Sequence, residues 1–168
     1  MARLIQQSGG PIDYLRMIKL VYLADRESIK KIGLPIVGGT YYSMNKGPAV
    51  SEVMDFVRDR TAPGWKHSIS FRLGNEIRLA TESPDSDWLS PFEIEVLDSV
   101  VGEHRGRTTL ELVDWCHKNC AEYREVATGR RVPIPVEDIL RALGKKTAAI
   151  KNALREARVA NELDAQFA

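Results

Sequence analysis

The sequence predicts a mainly α-helical domain with a small antiparallel β element. It is an α+β fold in which a compact helical body carries a hairpin and one short extra strand. Three observations predict it. Between Pro11 and Ile32, the residues Leu15, Ile18, Val21, Tyr22, Ile29 and Ile32 approximate the apolar spacing of one helix face. Ser90 with Glu93, and Thr108 with Glu111, carry the reciprocal capping pattern that opens a helix. Ile69, Phe71 and Leu73, then Ile77 and Leu79, alternate with polar residues as half-buried strands do.

Taken in order, the first helix has Pro11 at its first position and Gly33 just past its end. Its Arg16, Lys19, Arg26 and Lys30 fall mostly off the apolar face. The next stretch sets Pro35, Gly38 and Gly39 around Thr40-Tyr41-Tyr42, a short strand entered through glycines, with Asn45-Lys46-Gly47-Pro48 as a turn. A helix then runs from about Ala49 to Arg60, with Val50, Val53, Met54 and Val57 inward, until Ala62-Pro63-Gly64 breaks it. The hairpin over 68–81 needs an odd loop to bring both apolar sets to one face, because a one-residue slip inverts a strand. That places Phe71 opposite either Ile77 or Leu79.

Glu82 to Asp87 is a polar connector. The helix that follows has Ser90 as N-cap, Pro91 at its first position, and Leu89 and Ile94 where a hydrophobic staple needs them. It runs to about Glu103, with Ile94, Leu97, Val100 and Val101 inward. Gly106 separates it from the helix capped at Thr108, which holds Leu110, Leu112, Val113, Trp115 and Cys116. Residues 127–135 read as a loop, Val136–Leu143 as a short helix ending at Gly144, and Thr147 as the cap of a last helix to about Leu163.

The chain has 168 residues, long enough to bury roughly 70% of its surface in one core. A single domain over 1–168 is expected, with 136–168 as C-terminal helices. Apolar residues make up 43% and charged residues 28%, which excludes a disordered or collagenous chain. No stretch approaches the ~18 apolar residues of a membrane span. The start, MARLIQQSGGP, lacks the apolar run of a secretory leader, so a cytoplasmic protein is expected. With 24 basic and 23 acidic residues, no bulk field draws it to nucleic acid or acidic lipid.

No catalytic pattern stands out. There is no Gly-rich phosphate loop ahead of a helix, no nucleophile elbow and no zinc-protease helix. Ser51 and Ser90 have no neighbouring His in sequence. Asp25 and Glu27 around Arg26 read as a solvated helix end with local ion pairs. His117 near Asp114 reads as a structural histidine. Cys116 and Cys120 lie four apart on one helix face, but His117 between them points elsewhere, so two buried thiols are expected rather than a metal site. The chain is therefore expected to be no enzyme and to need no cofactor. Its C-terminal part gathers Arg141, Lys145, Lys146, Lys151, Arg155 and Arg158 against Glu156 alone, two helices loosely like a helix-turn-helix. A DNA-binding regulator is the alternative function, although nucleic acid is not the favoured partner.

One set of blocks is more specific than periodicity explains. It comprises Lys19-Leu20-Val21-Tyr22-Leu23-Ala24-Asp25-Arg26, then Gly33-Leu34-Pro35-Ile36-Val37-Gly38, Tyr41, and Lys46-Gly47-Pro48-Ala49-Val50-Ser51. A second set is Leu89-Ser90 with Glu93 and Leu97-Asp98, then Leu110 to His117. In this order the blocks resemble the Panacea domain, the SocA-like antitoxin domain also found in phage-associated proteins. The family pattern is "KLLYLADR", "G.PI.G..Y", "GPV.S", "LS..E...LD" and "ELS.LSH". The likeness covers about Ile12 to Tyr123. This chain departs from it with Tyr123 where relatives commonly show Trp, with Ala49 inserted before Val50, and with Gly39 for a polar residue.

The resemblance implies a mostly helical protein with a small antiparallel sheet that neutralises a cognate toxin by direct binding. It implies a toxin encoded next to it. In the SocA type it also implies delivery of that toxin to a ClpXP-type protease. A homodimer is compatible with such a role. The conspicuous residues fit binding better than chemistry. Gly33, Gly38 and Gly47 suit tight backbone, and Pro35 and Pro48 stiffen the same region. Tyr42, Met44 and Lys46 are the candidate partner-binding side chains.

Overall fold

A computed structural model describes residues 1–58, 68–71, 74–81, 88–146, 150 and 155. It opens with a helix that no sequence signal announced, α1 (Ala2–Ser8), whose N-cap makes no side-chain hydrogen bond. So short a helix is marginal alone. It is held because Leu4 and Ile5 are fully buried in the common core, worth about 2 kcal/mol each. β1 (Ile12–Asp13) follows, then α2 (Tyr14–Ile32). Pro11 is therefore not the first helical residue: the N-cap is Asp13, whose carboxylate accepts from the Leu15 amide at 2.8 Å. At the other end Gly33 closes the helix in the left-handed conformation, as expected.

α2 is the axis of the molecule. Met17 to Asp25 is buried without a break, because α2 is packed by elements on several sides. The one-faced reading of this helix is corrected accordingly. Lys19 and Asp25 are inside, while Ile32 is 52% exposed.

Next come β2 (Tyr41–Met44), β3 (Gly47–Val50) and α3 (Ser51–Arg58). The stretch 47–50, expected to be turn and helix start, is a strand that pairs with β2 across the Asn45-Lys46 turn. β4 (Ile69–Phe71) and β5 (Glu76–Leu79) form the expected hairpin, with Phe71 opposite Ile77, one of the two registers foreseen. α4 (Pro91–His104) and α5 (Thr109–Asn119) carry both expected capping boxes in full. β6 (Arg131–Ile134) replaces the loop expected there, and α6 (Val136–Ala142) follows. The breaker at 62–64, the connector at 82–87 and most of the helix expected from Thr147 lie outside the described residues; Ile150 and Arg155 are helical.

Among the described residues, then, six helices accompany two three-stranded antiparallel sheets, ordered β1-β5-β4 and β3-β2-β6. The second sheet accommodates two prolines, Pro48 opposite Ser43 and Pro133 opposite Tyr42. In one phase of the ladder neither has to donate: Ser43 then bonds towards β6, and Tyr42 and Met44 towards β3. In that phase the Pro48 carbonyl faces away from β2, at the sheet's edge.

Candidate functional site

The first polar cluster centres on Asp25, which is fully buried. Its Oδ1 accepts from the Ile36 amide at 2.9 Å and the Val37 amide at 2.8 Å. Its Oδ2 accepts from the Gly38 amide at 3.0 Å and the Tyr41 hydroxyl at 2.9 Å. Burial raises the carboxyl pKa, and these four donors pull it back only in part. The reading of Asp25 as a solvated helix end is thus corrected, although Glu27 does pair locally with Lys30 at 3.2 Å. The strand entry is fixed a second time by Glu52, whose carboxylate takes the Thr40 amide at 3.2 Å. A side chain at Gly39 would run into that carboxylate, which explains glycine at φ 88 there.

A second cluster is held by Tyr22 and Arg26, one helical turn apart on α2. The Tyr22 hydroxyl donates to Glu122 Oε1 at 2.6 Å, and Arg26 Nε to the same oxygen at 2.7 Å. The Glu122 side chain is wholly buried. Burial, and then the Glu122 charge, push the Tyr22 hydroxyl well up. The Tyr22 and Tyr41 rings meet edge to face, with centroids 5.9 Å apart, and so join the two clusters.

The third feature is of opposite charge. Lys19 is 1% exposed, and its Nζ donates to the Pro48 carbonyl at 2.6 Å, the edge acceptor described above. Desolvation lowers its pKa to about 8. Around it, Gly47 has φ 91, and a Cβ there would lie 3.1 Å from the His117 ring and 3.3 Å from Lys19 Nζ. Only glycine fits that spot without displacing one of them. His117 stacks on Tyr123 at 4.6 Å. Its pKa is held down by partial burial first and by Lys19 next. The Tyr123 hydroxyl donates to the Met44 carbonyl at 3.1 Å, and the Arg124 amide to Ser43 Oγ at 3.0 Å, tying the hairpin to the chain after α5. Cys116 and Cys120 are buried and free, as expected. Their mutual hydrogen bond lowers the Cys116 thiol and raises that of Cys120, an easier and a harder deprotonation of one pair.

Beside Lys19 a groove of about 500 Å³ opens between α2, the β2–β3 hairpin and α3. Leu15, Ile18, Met54 and Val57 supply apolar wall, and Met44, Asn45 and Lys46 the hairpin side. No Asp or Glu is among the described residues that line it.

The quoted family residues therefore divide. Leu20, Tyr22, Ala24, Asp25 and Tyr41 are interior, and Arg26 serves Glu122. Gly33 caps α2, while Pro35 packs 3.3 Å from where a Gly38 side chain would start. The Ser51 amide bonds the Thr40 carbonyl at 2.9 Å, and its hydroxyl bonds Glu52 at 2.9 Å. Lys19, Gly47, Pro48 and His117 come together at the groove's edge. The three candidate contact residues are not one patch: Met44 and Lys46 line the groove, whereas Tyr42 lies under the Arg131 guanidinium, 4.7 Å from its ring. Of the basic C-terminal set, Arg141 is paired with Asp138, and Lys151 and Arg158 lie outside the described residues. Glu122 was not foreseen, and no local pattern marks it: its partners are about 100 positions away.

These observations define the class of the fold: a mainly helical α+β body with a buried polar frame behind a β-hairpin, and a groove that no Asp or Glu lines among the described residues. The family model "Antitoxin SocA-like, Panacea domain" matches residues 17–122. The chain belongs to that family. The match begins in α2 and ends at Glu122, and so takes in every member of the three clusters except Tyr123 and Arg124. No curated protein matches, and no solved structure does. No helix among the described residues is long and apolar enough to cross a membrane.

Proposed function

We propose that this chain is the antitoxin of a toxin–antitoxin pair, acting in the cytoplasm. It neutralises a cognate toxin, encoded next to it, by direct protein binding and without catalysis of its own. The observation that carries this reading is the family match over 17–122, a span that includes the hairpin and most of the groove's lining. Asp25, Tyr22 and Glu122 spend their hydrogen bonds on the protein itself, as a rigid binding scaffold would. In the same reading, the bound toxin is handed to a ClpXP-type protease.

The test is growth. The adjacent reading frame is expressed alone and then with this chain. Arrest in the first case and growth in the second support the antitoxin reading; no arrest, or arrest that co-expression leaves in place, removes it. The toxin's half-life in cells with and without the protease separates delivery from masking. Rescue that persists at an unchanged half-life removes the adaptor step. Tyr42→Ala with Lys46→Glu is expected to weaken the complex.

A further inference from the structure

The groove beside Lys19 has a charge pattern that specifies its occupant. Two lysines and no carboxylate line it among the described residues. Lys46 is exposed at its lip and has no ion-pair partner among those residues. Lys19 lies beneath, with one acceptor for its three ammonium hydrogens. Asn45, next to them, adds an amide whose described bond is to Thr128 at 3.3 Å. The remaining wall is aliphatic and thioether: Leu15, Ile18, Met44, Met54 and Val57. An apolar trough with an unmatched positive end accepts a peptide that is apolar along its length and acidic at one point.

We infer that this groove is where the toxin docks. A toxin segment lays an aliphatic or aromatic side chain on Leu15, Ile18 and Met54 and sets an aspartate or glutamate carboxylate against Lys46, above Lys19. The identity of the occupant as a toxin rests on the antitoxin reading; the acidic, apolar character of the segment does not. Lys46 and Asn45 make the surface contacts. Lys19 supplies charge from a weakly screened site, where it acts more strongly than it would in water.

The experiment uses the full chain and a random peptide library displayed on phage. Selected peptides are expected to pair Asp or Glu with Leu, Ile, Met or Phe. A synthetic copy of the winner is expected to bind about tenfold more weakly to Lys46→Glu and to Asn75→Glu, which adds an acid at the Tyr14 end of the groove. Lys118→Glu, on an exposed part of α5 away from the groove, is expected to bind within about twofold of wild type. Melting curves confirm that each variant is folded. Selected peptides without acidic residues, no enrichment over the Lys46→Glu protein, or equal affinity for it would each overturn the inference. So would a wild-type dimer that Lys46→Glu dissociates, which gives the groove to a second copy. The growth assay is read separately: if wild type fails to rescue, the antitoxin reading falls, and the peptide selection still decides the groove.

Discussion

Two charges lie buried in one helix six residues apart, and the protein treats them in opposite ways. Asp25 is enclosed by four donors, three of them backbone amides of a single loop. Lys19 has one acceptor and borders an open groove. A carboxylate so completely answered is a fastener: it fixes the 34–41 segment onto α2 and has nothing left to offer a ligand. A buried ammonium with spare donors costs stability to keep. Such a group points to a role beyond holding the fold together, and here it adjoins a groove that no Asp or Glu lines among the described residues.

Breaking the fastener should have the largest effect. Asp25→Ala leaves the buried Gly38 amide and Tyr41 hydroxyl, and the half-buried Ile36 and Val37 amides, without their acceptor, and should cost roughly 4 kcal/mol in urea unfolding. A loss under about 1 kcal/mol would mean that water replaces the carboxylate and that the contrast with Lys19 is unreal.

The Lys19 side is sharpened by pH. Its proton leaves near pH 8 in the native chain, against an ordinary 10.5. Between those values the unfolded chain holds the proton and the native chain does not, so native stability rises with pH across that window. Unfolding free energy measured against Lys19→Met should rise by about 3 kcal/mol from below pH 8 to above 10. His117 and Cys116, whose pKa values Lys19 lowers, remain in both proteins, so the difference reads Lys19 together with its coupling to them. A flat difference would remove the claim that its charge is kept at a cost.

Gly47→Ala tests the joint between the two. It forces a side chain into the left-handed region and against the His117 ring, and should cost roughly 1–3 kcal/mol. The smallest effect on stability belongs to Lys46→Glu, within about 0.5 kcal/mol in the same unfolding assay, as for an exposed residue with no ion pair among the described residues. A matched loss of folding there would assign Lys46 to the frame.

What could be read in the sequence was local. The capping boxes at Ser90 and Thr108, the Gly33 stop and the odd-loop hairpin are set by residues within a few positions of one another, and all are present. What escaped depends on distant partners. The short, proline-bearing Arg131–Ile134 becomes a strand because β2 offers it an edge. α1 exists because Leu4 and Ile5 find a core built by later elements. Lys19 and Asp25 look like the polar face of an amphipathic helix until that helix is surrounded. The motif blocks named Lys19 and Asp25 alike, and only the packing separated fastener from groove.

The Tyr22–Glu122 bond joins residues 100 positions apart. Closing so long a loop is chiefly a matter of time, since its entropy grows only with the logarithm of its length. A contact between residues so far apart is the kind that a folding chain closes late. An interaction absent from the folding barrier acts on the escape rate instead. Where that bond forms late, Glu122 sets how long the native chain persists once formed, more than how fast it forms.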